Sequence, residues 1–521
     1  MRNKSIIYFT LLIAVTLVTS SCNEWLEATS SSQVSDKKMY ASRNGFHEAL
    51  TGVYLAMAAE DVYGANYTWR CNDIICVPYA SMSRTFYRVF QQHNYSVNDA
   101  QPYIDGMWQG GYHVIACANK ALYELEQRRD VITDDLEYNL IKGELLAARA
   151  YVHFDMMRMF GEASWGGDNA DKHTVPYVRE YTSMPTFQAT YSETAQLLLE
   201  DIKQALECLA NDPVRGMIPE DFESTINSDG YWTDRQKHLN YYAVKALQAR
   251  VSMWTGDYVQ AYNSASEVIS GALESGLAHW VDTEAFTHEN DSDRKDWTFS
   301  CEHIFSLEVT NLYDNLKAYF FPETGKNEGL MLPEETINEL YPNIPEVDHI
   351  DLLTDVRGPS QLLKYRAGGY VVNKFYSSNS YLYAFRCRMP MIRLSEMYII
   401  QAKVNALSFN MEGCADCLDQ IRFHRGLEVP MMGGTYPYLY HDLTPSQDIV
   451  SCLSAALNEL FKETIGEGQF LYELKWTRGI IKSLNVWGYY TNILFLEDTD
   501  LSKLKYPYPL EETSFGRVQD E

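Results

Sequence analysis

A cysteine directly behind a run of small residues can carry lipid, and Cys22 is so placed. Thr19, Ser20 and Ser21 precede it, after an apolar run from Ile6 to Val18 and the charged head Arg2 and Lys4. These are the parts of a secretory signal. The run is shorter than the roughly 20 residues that span a bilayer, so residues 1–21 are expected to be removed. The Cys22 thiol can take a diacylglycerol and its new amine a further acyl chain. Two or more chains hold a protein stably on a membrane. Cys22 is therefore the expected lipidation site.

Other side chains have spacings that catalysis or metal binding can use. Cys414-Ala-Asp-Cys417 has the CxxC spacing of a zinc or redox motif. No second CxxC and no His pair at ligand spacing stands near it, so two thiols buried on a helix are favoured. With Cys22 set aside, an odd number of the 10 cysteines remains, without the density of a disulfide scaffold. Glu459, Glu463, Glu467 and Glu473 offer carboxylates of the kind a glycosidase pairs. The first three recur every fourth residue, which predicts a solvated helix face or one paired with Lys462 and Lys475. Arg393 and Glu396, three apart on one predicted helix, read as structural ion pairing. The chain has no nucleophile elbow, P-loop or HExxH sequence. No catalytic residue, metal site or cofactor is expected.

Binding of sugars needs aromatic faces to stack on ring C–H surfaces, with amide, carboxylate or guanidinium groups for the hydroxyls. Aromatic residues make up 13% of the chain, and two clusters fall in stretches without helical period. The first runs from Tyr63 to Asp73, with Tyr67, Trp69, Asn72 and Asp73 as candidate ligand contacts. The second gives Trp297, Tyr313, Asn315 and Tyr319, next to Phe320 and Phe321. Packing of the loops onto helices is the competing role for any one of these residues. A net charge of −27 repels nucleic acid, which is discarded as a partner. A neutral ligand suits so acidic a body better than an anion, although a local basic pocket remains open to it.

The elements that must position these groups are mostly helices. Phe46, Ala49, Leu50 and Val53 share one face, and a second helix is predicted from about Met107 to Leu125. Residues 136–160 and 240–254 both set alanine and large apolar residues at helical spacing. The second continues through Gly256-Asp257 into Ala261, Ala265 and Val268, a helix–turn–helix whose small residues permit close approach. That pattern fits tetratricopeptide stacking. It predicts four pairs: 46–57 with 107–126, 136–160 with 191–209, 240–254 with 257–271, and 391–408 with 413–426. The expected layout is a signal at 1–21, a serine-rich tether at 22–45, a helical region at 46–275, an irregular insertion at 276–390 and a second helical region at 391–521. Strand-like pieces stand at 303–307 and 369–372. Long irregular stretches inside a repeat frame are more often functional than filler.

Several stretches together resemble the SusD/RagB family of outer-membrane lipoproteins. They are the acidic, aromatic segment after Cys22, GELLAARAYVHFDMMRMFGE (Gly143–Glu162), AVKALQARVSMWTGDYVQAYNSASEVI (Ala243–Ile269), RMPMIRLSEMYIIQAKVNA (Arg388–Ala406), CLDQIRFHRGL (Cys417–Leu427) and KETIGEGQFLYELKW (Lys462–Trp476). Their order extends over most of the chain. Lys403 stands where the family usually has Glu, Phe470 where it has Arg, and Glu473 where it has Asp. The resemblance implies a mainly α fold: a tetratricopeptide-like helical frame with long irregular loops, a few short strands and a ligand face. It also implies a surface-facing lipoprotein on the outer membrane. Such a protein sits over a SusC-like TonB-dependent barrel and passes it a glycan, or a peptide. An exported hydrolase on a helical scaffold and a scaffold holding only a partner chain are the rival classes.

Overall fold

Helix starts in this chain are set by short polar caps, and the computed structural model shows them in place. It describes residues 36–80, 85–162, 169–216, 218–290, 294–321, 329–341, 355–366, 368–376, 384–427, 448–484, 495 and 500–518. Cys22, the signal and most of the tether lie outside the described residues. The α1 helix (Arg43–Met57) begins where the Ser42 hydroxyl accepts from the Gly45 N–H at 3.2 Å, ahead of the Phe46 start predicted from the apolar pattern. The α2 helix (Gln101–Gln127) opens with Pro102 in its first turn, where a missing N–H does no harm. The α3 helix (Asp135–Phe160) is buried without a break from Gly143 to Phe160, as a helix surrounded by others must be. Thr190 and Glu193 form a capping box at α4 (Tyr191–Cys208).

The α5 helix (Tyr241–Thr255) stops at Gly256, whose φ of 85° is the left-handed region that favours glycine. Asp257 then caps α6 (Tyr258–Glu274) through the Gln260 N–H at 3.0 Å. Ala249, Ala261 and Ala265 are fully buried between the two helices. At Gly271 a Cβ would stand 2.2 Å from the Tyr242 ring, so no larger residue fits there. The insertion follows, carrying α7 (Leu312–Phe320). After it come α8 (Leu394–Leu407), α9 (Met411–Phe423), α10 (Ile449–Thr464) and α11 (Gln469–Ser483).

The predicted pairs form: α1 packs on α2, α3 on α4, α5 on α6 and α8 on α9, with α10 and α11 as a further pair. Neighbouring pairs also touch, α2 on α3, α4 on α5, α6 on α8 and α8 on α10. The frame is therefore a stacked, tetratricopeptide-like helical array with one continuous core from Tyr40 to Tyr506. The few strands are short. The β1 strand (His173–Pro176) pairs with β2 (Gln188–Thr190), and β3 (His303–Glu308) with β7 (Arg388–Arg393). Between these in sequence lie β4 (Met331–Leu332), β5 (Leu363–Arg366) and β6 (Gly369–Val372), with β6 central in an antiparallel sheet. Residues 391–393, predicted helical, are the end of β7; the helix starts at Leu394.

That boundary corrects the reading of Arg393 and Glu396, which do not pair with each other. Arg393 Nη1 lies 2.7 Å from Glu467 Oε1, while Glu396 holds Arg250. The carboxylates of α10 and of the turn after it are corrected too. Glu459, Glu463 and Glu467 are buried, not solvated. Arg357 Nη1 lies 2.7 Å from Glu459, Arg425 Nε 2.7 Å from Glu463 and Lys374 Nζ 2.7 Å from Glu467. Arg425 also reaches Glu302 at 2.6 Å, and Arg357 reaches Asp355 at 2.6 Å. Buried charges are tolerated only when paired in this way. Lys462 does pair with Glu459, at 3.1 Å. Lys475 instead donates to the carbonyls of Arg158 and Gly161. Lys403 and Glu473, both departures from the family pattern, form an ion pair with one another. Phe470 joins Phe461 and Phe495 in an aromatic trio.

The cysteines of the CxxC spacing sit on α9. Cys414 is buried against Cys452, and Cys417 accepts from Asn405 at 3.7 Å. Burial pushes the Cys417 thiol up to about 12, far from a reactive thiolate.

Candidate functional site

The structure carries the first aromatic cluster inward. Tyr67, Trp69, Asn72 and Asp73 are all fully buried. Tyr67 donates to the Met107 carbonyl at 2.7 Å and the Trp69 indole to the Gly64 carbonyl at 3.2 Å. Asn72 donates to the Tyr67 carbonyl at 2.9 Å and to Tyr472 at 3.1 Å. Asp73 accepts from the Gly466 N–H at 2.6 Å and the Gly468 N–H at 3.1 Å. Burial pushes this carboxyl up to about 7, although both N–H groups pull it down. Gly468 has a φ of 75°, and a Cβ there would stand 2.3 Å from the Tyr67 carbonyl oxygen. The loop from Tyr63 to Ile74 thus works as a clasp onto the α10–α11 turn, its polar groups occupied by the chain itself.

The second cluster lies nearer the surface. The α7 helix buries Leu312, Leu316 and Phe320 and leaves Tyr313, Asn315 and Tyr319 half-buried on its flank. Tyr319 is spent on packing: its ring meets Trp69 edge-on at 4.8 Å and Tyr87 at 5.7 Å. The two clusters therefore touch, through Trp69 and Tyr319, beneath the surface. Tyr313 faces Tyr376 at 6.2 Å, and Tyr376 meets Phe321 at 5.3 Å.

Tyr376 leads from that flank into a cavity of about 480 Å³, whose lining includes the edge of the buried Trp297. Asp296 bends the chain there by accepting from the Thr298 N–H at 3.2 Å and the Ser300 N–H at 2.7 Å. Trp297 packs edge-on against Phe286 at 5.5 Å, within a small separate core with Phe299, Val356 and Leu362. This satellite core supports the cavity independently of the main helical core. Along one wall Lys364 and Arg366 stand two apart on β5, hence on one face of the strand. Lys295 is 8% exposed and donates to Gln361 Oε1 at 2.6 Å, with its ammonium 5.2 Å from the Trp297 ring centre. Asn373 completes a wall rich in donors. The Trp297 indole N–H, although buried, has no acceptor among the described residues. The cavity falls in the 300–1,000 Å³ range typical of small-ligand sites.

Of the residues predicted from sequence, Trp297 alone lines this cavity. Tyr313 borders it through Tyr376, while Asn315 shares the α7 flank. Lys295, Gln361, Lys364, Arg366, Asn373 and Tyr376 were not singled out. Only Lys364 and Arg366 carried a sequence signal, their alternation in a strand-like stretch. A second recess of about 350 Å³ involves Trp232 and Arg235. There the guanidinium is already held by Glu144 at 2.5 Å and Asp212 at 2.6 Å.

Residues 24–221 match the SusD-like family, described as starch-binding and associating with the outer membrane. Solved structures align over nearly the whole chain. A SusD superfamily protein from Bacteroides thetaiotaomicron has 20% identity and a TM-score of 0.65, covering 92% of this chain and 99% of that one. Another from the same organism has 15% identity and a TM-score of 0.69, covering 92% and 98%. A SusD-like carbohydrate binding protein from Bacteroides vulgatus has 15% identity and a TM-score of 0.59, covering 84% of each chain. No curated protein matches the chain. The N-terminal part of the chain thus matches the SusD-like family model, and the chain as a whole has the fold of the solved SusD superfamily proteins. Among the described residues no helix is long and apolar enough to cross a membrane.

Proposed function

We propose that this protein is a non-catalytic, cell-surface lipoprotein that binds nutrient glycans and delivers them to a SusC-like TonB-dependent barrel in the outer membrane. The observation that carries the reading is the cavity beside Trp297, which joins the half-buried Tyr376 ring to amide and cationic donors on a SusD-type frame. An aromatic face takes the apolar side of a sugar ring and the donors take its oxygens. Tyr376 and Tyr313 extend the aromatic surface along the α7 flank, where Asn315 adds an amide. Lipid on Cys22 anchors the protein, and the segment before α1 tethers its body over the barrel.

Isothermal titration of the purified protein against a panel of oligosaccharides tests the core of this reading. Binding is expected, with every saccharide recovered intact. Reproducible bond cleavage would make the protein a hydrolase, and a panel with no binder would leave a scaffold. Affinity purification from native membranes is expected to recover a TonB-dependent barrel, and mass spectrometry of the N-terminal peptide to show acyl chains on Cys22. A peptide starting upstream of Cys22 would remove the anchor from the proposal.

A further inference from the structure

The cavity's charge runs against that of the whole molecule. At a net charge of −27, the mean field repels anions from the surface. Yet Lys295, Lys364 and Arg366 converge on one cavity, where Glu289 is the only carboxylate of the lining. Among the described residues none of the three cations forms an ion pair, in contrast to the buried arginines around α10. Burial, and the Lys364 charge beside it, push the Lys295 ammonium down from its usual range, with Glu289 pulling the other way. Lys295 is buried while Lys364 and Arg366 are exposed, and like charges gathered at one cavity repel until an anion joins them. The unpartnered Trp297 N–H lies in the same lining, and a buried donor without an acceptor is costly. The Gln361 and Asn373 amides add further donors.

We infer that the cavity selects acidic oligosaccharides, in which a carboxylate or sulfate group seats among Lys295, Lys364 and Arg366 while a sugar ring lies against Tyr376. The inference rests on the glycan-binding reading and narrows its ligand class. Carboxylate and sulfate share the chemistry the cavity recognises: a compact anion on a neutral, hydroxyl-rich ring. Guanidinium and ammonium donors bind such anions more strongly than they bind hydroxyls. The half-buried Tyr376 ring favours a sugar ring over a bare anion.

Titration calorimetry on the full mature protein, with paired probes, tests this. One pair is oligogalacturonate and its methyl ester, which share a backbone and differ in charge. The other is chondroitin sulfate oligosaccharide and its desulfated form, with polyglutamate and a neutral starch oligosaccharide as controls. The acidic member of at least one pair is expected to bind about tenfold or more tightly than its partner. The pair that responds separates carboxylate from sulfate, and the affinity should fall with salt. Lys364→Met and Arg366→Met should each weaken the acidic probe several-fold and flatten that salt dependence, with thermal midpoints unchanged. Equal affinity for a probe and its uncharged partner would overturn the inference. So would preference for polyglutamate, which would mark an acidic-peptide site. Binding of the starch oligosaccharide alone would overturn the acidic class but keep the glycan reading. A panel with no binder would remove both.

Discussion

Two regions of this molecule gather cations, and they treat them in opposite ways. Around α10, Arg357, Arg393, Arg425 and Lys374 are buried and met by Glu459, Glu463, Glu467 and Glu302 at 2.6 to 2.8 Å. Beside Trp297, Lys295, Lys364 and Arg366 line one cavity and form no ion pair among the described residues. The first arrangement is closed, since every charge is answered from within the chain. The second is open, answered by amides and by solvent. Cationic side chains alone therefore do not distinguish the two regions; the presence or absence of a carboxylate partner does.

The largest expected effect comes from opening the closed region. Glu463→Gln keeps the shape but takes a charge from Arg425, Arg357 and Arg393. It should lower unfolding free energy by roughly 3–5 kcal/mol in urea denaturation. A loss within 0.5 kcal/mol, about the noise of a surface substitution, would mean the lattice is not structural.

Next comes a pH effect at Glu144. Its burial alone would raise the carboxyl's pKa, but His238, Arg235 and the Tyr54 hydroxyl overcome it and hold it at about 2. A folded pKa depressed below the ordinary 4.5 gives stability that is present above that value and is lost as pH falls toward 2. The stability gap between wild type and Glu144→Gln should therefore close by at most about 3 kcal/mol across that interval. A gap constant with pH would remove the linkage.

Smaller still is the effect expected in the open region. Trp297→Phe keeps an aromatic ring and removes the indole N–H. It should cost less than about 1.5 kcal/mol of stability, while weakening an acidic probe several-fold, as loss of one hydrogen bond of about 1 kcal/mol implies. The smallest stability change belongs to Lys364→Met, within about 0.5 kcal/mol. If that variant lost as much stability as Glu463→Gln, the contrast between the regions would fail.

What the sequence revealed follows from the range of each interaction. Helix pairing was legible because Ala249, Gly256, Ala261 and Ala265 act within one hairpin. The stacked frame followed from its repetition. The strands at 303–307 and 369–372 were legible from their β-branched and aromatic runs. The ion lattice was not, because the partners of Glu463 come from residues 357, 393 and 425. A charged helix face looks the same whether water or arginine covers it. The same holds for Trp69 and Trp297: both lie in aromatic, polar stretches. One became a clasp because Gly466 and Gly468 receive its neighbour Asp73; the other edges a cavity because Lys295 and β5 left space beside it. The alternation of Lys364 and Arg366 was not read as a strand, and only the fold brought Lys295 to the same cavity.

The clasp carries a consequence for the order of events in the life of the chain. Asp73 closes on residues 466 and 468, and Tyr506 donates to Asn72 at 3.2 Å. A polypeptide that appears from its N-terminus onward must hold the loop of Tyr67, Trp69 and Asp73 unfastened until its last tenth or so has arrived. During that wait those rings are open to proteases and to wrong contacts. Truncation before residue 466 should therefore leave the earliest-made part of the protein vulnerable, however complete its own helices are.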